Sequence, residues 1–101
     1  MPAKAYWIVR GEVSDANAYA RYVALNGEAF KKHGARFLVR GGRAQTVEGE
    51  GRTRNVIIEF PSMDQALACY ESAEYQAAKA QREGAAEIDI VVVEAYDGPQ
   101  P

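Results

Sequence analysis

The chain has 101 residues, with 12 basic and 14 acidic side chains and a formal net charge of -2. Such a chain has no long-range field that would select a polyanion, which argues against nucleic acid and against an anionic membrane surface as partners. The length suits a single domain over residues 1–101. A domain of this size buries only roughly 60 to 65% of the surface of its unfolded chain, so further burial requires a partner.

The cysteine and histidine content limits the chemistry of the chain. One cysteine, Cys69, and one histidine, His33, exclude an internal disulfide and the usual three- or four-ligand zinc site. We therefore expect no metal and no cofactor. Apolar runs such as residues 5–9 are much shorter than the roughly 18 residues of a membrane span, and we expect a cytoplasmic protein without a transmembrane segment.

The first part of the chain predicts a strand followed by a helix. Residues 5–13 (AYWIVRGEV) are rich in aromatic and β-branched side chains, which is typical of a strand. Asp15 is a suitable N-cap and Gly34 a suitable left-handed C-cap. We therefore predict a helix from about residue 15 to 33.

The middle of the chain predicts a hairpin. Residues 36–49 (RFLVRGGRAQTVEG) are expected to be extended, and a turn at 48–52 leads into a strand over 54–60. Residues three apart in a regular strand point to opposite faces. We therefore predict a β-bulge at Gly41 and Gly42, which would bring Arg40 and Arg43 to the same side.

The last part predicts a helix and a final strand. Ser62 and Gln65 match a capping box, which predicts a helix from residue 64 to about 83. Ser72 in its middle marks a point where the helix can kink, because serine competes for backbone hydrogen bonds. A strand is expected over 87–96, and the tail 97–101 is expected to be flexible.

This order of elements predicts a ferredoxin-like β-α-β-β-α-β fold of the α+β class, with two helices on one face of an antiparallel sheet. The strands are apolar on both faces, since Trp7 and Val9 oppose Tyr6 and Ile8. Two helices can cover only one face. We therefore predict a homodimer in which a second copy covers the other face.

Several segments carry a resemblance to a known family: YWIVRGEVSDANAYARY, FKKHGARFLVRGG, VIIEFPSMDQALACYESAEYQ and the segment around Arg82. Over residues 4–96 the chain resembles the domain-of-unknown-function 1330 family. The resemblance implies a dimeric α+β barrel, a superfamily that includes cofactor-free monooxygenases, isomerases, chlorite- and haem-handling enzymes and non-catalytic ligand-binding proteins. Ala73 stands where the family commonly has proline, which weakens the case for a helix break at Ser72.

Arg40 and Arg43 are the first candidate site. Two guanidinium groups on one side of a strand can bind a carboxylate or phosphate by bidentate hydrogen bonds. The alternative is structural. Arg40 would then pair with Glu59 or Glu94 at the rim of the dimer.

Tyrosines and the single histidine are the other candidates. Tyr19 and Tyr22 are expected to line a ligand cleft between the helices and the sheet, and Tyr75 is a candidate proton donor. His33 is a second catalytic candidate, because imidazole titrates near neutral pH. The alternatives are a core role for the tyrosines and a favourable interaction of His33 with the end of the first helix.

Together these features predict a small homodimer that is a cofactor-independent enzyme of the monooxygenase or isomerase type, acting on a small anionic or aromatic ligand. The alternative is a non-catalytic dimer that binds a metabolite or has a structural role. An enzyme requires a proton-transfer group and an electrophile-stabilising group in one apolar cavity, whereas a binding protein requires only the cavity.

Overall fold

The computed structural model describes residues 3–101, which form four strands and three helices. In chain order these are β1 (Ala5–Val13), α1 (Ala16–Lys32), β2 (Arg36–Arg40), β3 (Arg54–Phe60), α2 (Met63–Glu71), α3 (Ala73–Gln81) and β4 (Ala86–Glu94). The strands pair antiparallel in the order β2-β3-β1-β4. This is the predicted β-α-β-β-α-β arrangement, with the second helix divided in two.

The ends of α1 are fixed by the two residues that the sequence indicates. The Asp15 carboxylate accepts hydrogen bonds from the backbone N–H groups of Asn17 and Ala18, both at 3.1 Å. Gly34 follows the last turn with φ of 72°, a left-handed conformation that favours glycine. The predicted bounds of this helix are therefore confirmed.

Ser72 separates α2 from α3. Its hydroxyl donates to the Cys69 carbonyl oxygen at 2.7 Å and accepts a hydrogen bond from the Tyr75 N–H at 3.1 Å. Its backbone is extended, so Ser72 ends one helix and caps the next. A continuous helix over 64–83 is wrong, and the break at Ser72 forms even though Ala73 replaces the common proline.

The predicted hairpin differs from the observed one in two ways. Residues 41–53 form a loop instead of a strand and a short turn, and the register shifts between Phe37 and Val39, so that Leu38 is the extra residue. The bulge therefore precedes the glycines. Gly41 instead ends the strand, because its φ of 68° turns the backbone away from the extended conformation.

The core lies between the helices and one face of the sheet. Trp7 is fully buried at its centre, and its indole N–H donates to the Ala66 carbonyl oxygen of α2 at 2.9 Å. The opposite sheet face has no helix over it in the single chain, and Val91 and Val93 on this face are 57% and 46% exposed. The predicted sheet with two apolar faces is thus present, with helices on one of them.

None of the helices in the described residues has the length and apolar character that crossing a membrane would require.

Two glycines near α1 provide a matched test of this fold. Gly27 lies within the helix with open space around its Cα, whereas an added Cβ at Gly34 would lie 3.1 Å from the Pro61 ring in a left-handed backbone. We expect Gly27→Ala to raise the free energy of unfolding by about 0.5 to 1 kcal/mol and Gly34→Ala to lower it by about 1 kcal/mol or more. Urea denaturation followed by Trp7 fluorescence measures both changes. Equal effects of the two substitutions would contradict the assigned end of α1.

Candidate functional site

A cleft of about 540 Å³ lies between α2, α3 and β4. β4 is an edge strand, so its core-facing side chains extend past the cover of the helices and remain half-buried. The cleft has an apolar floor and a more polar wall, with the lining residues Leu67, Tyr70, Glu71, Lys79, Arg82, Ile88, Asp89, Ile90 and Val92. Its size falls in the range of roughly 300 to 1,000 Å³ that is typical of small-molecule sites.

Arg82 is the most deeply buried cation of this wall. It caps the C-terminus of α3 and is only 8% exposed. Its Nη2 donates to the Tyr75 hydroxyl at 3.3 Å, and its Cζ lies 4.9 Å from the centroid of the Tyr22 ring. Its Nε is buried without a hydrogen-bond partner. Part of the hydrogen-bonding capacity of this guanidinium is therefore unused.

Tyr22 and Tyr75 form a buried pair of phenols behind Arg82. Their hydroxyl oxygens lie 2.8 Å apart, which joins α1 to α3. Burial raises the pKa of Tyr75, and the Tyr22 contact raises it further, while Arg82 opposes the shift. Tyr75 is therefore a neutral phenol at physiological pH. Its side chain has no exposed surface, so it cannot act directly on a ligand in this conformation.

Arg82 stays protonated in this setting. Burial, the largest single influence, would lower its pKa, but the hydrogen bond to the Tyr75 hydroxyl opposes it, and the pKa is raised overall. Lys79 adds a second positive charge to the cleft, and its Nζ lies 5.9 Å from the Tyr70 ring centroid. Of the two acidic lining residues, Asp89 already accepts a hydrogen bond from Arg52 at 3.3 Å. The cleft is therefore lined by two cations, Lys79 and Arg82, and by two carboxylates, of which Asp89 is already paired with Arg52.

The predicted site around Tyr19 and Tyr22 is a different and much smaller space. These tyrosines line a cavity of about 20 Å³ under α1, together with Arg40, Arg54 and Asn26. That volume holds about one water molecule. The buried Asn26 Oδ1 has no hydrogen-bond partner in the described residues, which suits a single bound water.

Arg40 and Arg43 do not form a pair. The bulge at Leu38 places Arg40 opposite Val56 on the helix-covered side, with its Cζ 4.1 Å from the Phe37 ring centroid. Arg43 is exposed in the loop that follows. The residue beside Arg40 in the small cavity is Arg54, whose Nε donates to the Tyr19 hydroxyl at 3.1 Å.

The predicted pair of Arg40 with Glu59 does not form within the chain. Glu59 lies opposite Arg36 on the uncovered face, and its carboxylate is 3.5 Å from the Lys4 Nζ. Arg40 is directed to the other face of the sheet, because the bulge reverses its side. Glu59 is thus not its partner.

His33 takes the structural role. It is the C-cap of α1, and its Nδ1 lies 2.9 Å from the Ala29 carbonyl oxygen, to which it donates in the Nδ1-protonated tautomer. The cleft does not include His33 among its lining residues. Two groups of predicted site residues are brought together. Tyr19, Tyr22 and Arg40 line the small cavity, and Tyr22 also contacts Tyr75, which reaches the cleft through Arg82.

Arg82 and Tyr70 are the site residues that residue patterns did not single out. The sequence signal for Arg82 is weak, because a cation just before the helix-ending Gly84 is typical of an ordinary helix C-terminus. No group of three His, Cys, Asp or Glu side chains within residues 3–101 has the arrangement of a metal site.

The fold and cleft define a ferredoxin-like α+β protein with a small-molecule-sized cleft beside its edge strand. The chain belongs to the family described as Domain of unknown function (DUF1330), whose model matches residues 4–96. No curated protein matches the chain in sequence.

Solved structures of the same fold support this class. A protein of unknown function from Rhodopseudomonas palustris is similar with a TM-score of 0.78 and 18% identity, over 97% of this chain and 86% of that chain. SnoaB, a cofactor-independent oxygenase from Streptomyces nogalater, is similar with a TM-score of 0.62 and 11% identity, over 95% of this chain and 96% of that chain. A dimeric ferredoxin-like protein of unknown function from Thermobifida fusca is similar with a TM-score of 0.58 and 12% identity, over 94% of this chain and 93% of that chain. These likenesses confirm the predicted ferredoxin-like fold.

Cys69 belongs to the core and not to the chemistry of the cleft. It is fully buried in α2, and burial raises the pKa of its thiol from 9.0 to about 12, with a smaller contribution from the Glu74 charge. A thiol with this pKa is uncharged at neutral pH and is a poor nucleophile.

This buried thiol gives a pH-dependent stability. Between about pH 9 and pH 12 the folded chain keeps the thiol proton that the unfolded chain loses. The stabilisation is therefore fully present below about pH 9, and the free energy of unfolding falls as the pH rises toward 12, by up to about 1.4 kcal/mol per pH unit. Cys69→Ala should remove this component. Urea unfolding of both proteins at several pH values measures the difference, and parallel pH profiles would contradict it.

Proposed function

We propose that this protein binds a small, largely apolar molecule in the cleft between α2, α3 and β4, and converts it without a cofactor. The cleft itself carries the proposal. Ile88, Ile90 and Val92 form an apolar floor, and the charged side chains of the wall offer polar groups that can orient a ligand. The reaction type that we favour is monooxygenase- or isomerase-like.

The likeness to SnoaB supports this choice of reaction class, since that protein is a cofactor-independent oxygenase of the same fold. A fold is shared by many activities, so the support is by analogy. The physical requirement is a cation that stabilises negative charge as it develops on a bound substrate. Arg82 is protonated and lies in the wall of the cleft, which meets that requirement.

The second candidate is a non-catalytic metabolite-binding dimer. One observation favours it, namely that the predicted proton-transfer groups are occupied internally. Tyr75 is fully buried with a raised pKa, and His33 is directed at the Ala29 carbonyl. Under this alternative the same cleft holds a ligand and releases it unchanged.

We infer that the protein acts as a homodimer through the uncovered sheet face. The centre of that face is apolar and includes Tyr6, Ile8, Val39, Ile57, Val91 and Val93. One end is covered by the loop 41–53, where the Thr53 hydroxyl donates to Glu12 and Arg52 pairs with Glu87. The open apolar part is what a second copy would cover. The dimeric Thermobifida fusca protein of the same fold supports this inference.

Filling the cleft tests the proposed function. Leu67 lines the cleft and is 44% exposed, whereas Leu25 of α1 is 46% exposed and lies elsewhere. We expect Leu67→Trp to abolish thermal stabilisation by phenols, quinones and small carboxylates that protect the wild-type protein, and Leu25→Trp to leave it unchanged. The physical reason is that an indole occupies the space that the ligand needs.

The same pair of variants separates the two candidates. An enzyme should convert a stabilising compound, with oxygen uptake for oxygenation or an isomeric product by NMR, at a rate above background that Leu67→Trp eliminates. A binding protein should return the compound unchanged. If Leu67→Trp retains full ligand stabilisation, the cleft is not the site and the proposal is wrong.

A charge on the uncovered face tests the dimer. Val93 and Leu25 are both 46% exposed in the single chain, so they form a matched pair. We expect Val93→Asp to convert the wild-type dimer into a monomer of 11.1 kDa, because a buried unpaired carboxylate is strongly unfavourable at an apolar interface. Leu25→Asp should remain dimeric. Sedimentation velocity at micromolar concentration measures both, and a monomeric wild-type protein would refute the inference.

A further inference from the structure

Arg82 is a buried cation without an acidic partner. It is 8% exposed, and no carboxylate within residues 3–101 forms an ion pair with it. Its contacts are one hydrogen bond to the Tyr75 hydroxyl and the face of the Tyr22 ring. A charge removed from water is strongly unfavourable unless it is paired and hydrogen-bonded. These two contacts offset this only in part, since neither supplies a carboxylate.

The cleft is where a counter-anion can approach. Arg82 contributes to its wall. The nearby carboxylates do not fill this role, because Asp89 is held by Arg52 and Glu71 is exposed. Lys79 is the second cation among the lining residues of the cleft. A ligand that brings its own negative charge would complete the site.

We propose that Arg82 recognises the carboxylate of a ring-containing organic acid in this cleft, and that the Tyr22–Tyr75 hydroxyl pair holds the guanidinium in place. This inference rests on the proposed small-molecule function of the cleft. A guanidinium fork matches the two oxygens of a carboxylate. The apolar floor of Ile88, Ile90 and Val92 suits the ring and disfavours a strongly hydrated phosphate.

Tyr22 and Tyr75 are positioning residues in this scheme. The Tyr75 hydroxyl accepts from Arg82 and is itself fixed by Tyr22 at 2.8 Å, so α1 and α3 jointly set the direction of the guanidinium. Neither hydroxyl needs to touch the ligand. Their removal should therefore weaken recognition of the charge while leaving the affinity for the ring unchanged.

A pair of compounds that differ only in charge tests the inference. 2-Naphthoate and 2-naphthamide share one ring system, and chemical-shift mapping of the ¹⁵N-labelled protein near neutral pH locates and quantifies their binding. We expect both to perturb residues of the cleft, and naphthoate to bind at least about tenfold more tightly, as a charge-assisted hydrogen bond predicts. Arg82→Met should remove this preference. Lys31→Met, at an exposed position on α1, should keep it and controls for net charge.

The outcomes separate this inference from the proposed function. If naphthamide binds the cleft as tightly as naphthoate, recognition of the carboxylate is refuted and the cleft remains a small-molecule site. If neither compound perturbs the cleft, the proposed function fails together with this inference. If Arg82→Met does not fold, the comparison of the two compounds on the wild-type protein still decides whether the cleft recognises a carboxylate.

Tyr75→Phe decides the positioning role. We expect this substitution to weaken the binding of naphthoate by about tenfold, in line with the loss of one hydrogen bond to a charged group. The affinity for naphthamide should be unchanged. An equal loss for both compounds would show a merely structural role for Tyr75. An unchanged preference for naphthoate would show that the phenol pair does not hold the guanidinium.

Discussion

The packing of Trp7 is the interaction on which the rest of the molecule depends. Its indole N–H ties β1 to the Ala66 carbonyl of α2, and its ring packs edge-on against Tyr75 with centroids 5.0 Å apart. That contact sets the position of α3. Because the Tyr75 hydroxyl then lies beside Tyr22 and Arg82, the geometry of the cleft wall follows from a core contact. Core packing and site chemistry are thus not separable here.

The architecture was predictable because its signals are local and mutually consistent. Asp15 and Gly34 bound α1, and apolar side chains on both faces of β1 indicated a sheet that helices cover on one side only. The tendency of Ser72 to bond to the backbone indicated a kink, and the observed break goes further, because its hydroxyl donates to the Cys69 carbonyl of one helix and caps the next. Each of these features is encoded within a few residues.

The site was harder to predict because it depends on register and on the edge of the sheet. A bulge moved from Gly41 to Leu38 is a shift of only three residues, yet it decides which face receives Arg40. The cleft exists because β4 extends past the helices, which no local pattern reveals. Arg82 is hard to recognise as a site residue for the same reason. A cation at a helix end is ordinary, and only the fold shows that this one is buried without an acid.

The two proposed surfaces lie on opposite sides of one sheet, and this separates their effects. Side chains alternate along β4, so Val91 and Val93 face outward while Ile90 and Val92 face the cleft. A substitution on one face therefore perturbs assembly, and one on the other perturbs binding, even where the residues are adjacent in sequence. Coupling between the two must pass through the backbone of β4 itself. If ligand binding and dimerisation prove thermodynamically linked, that strand is the element whose shift would transmit the effect.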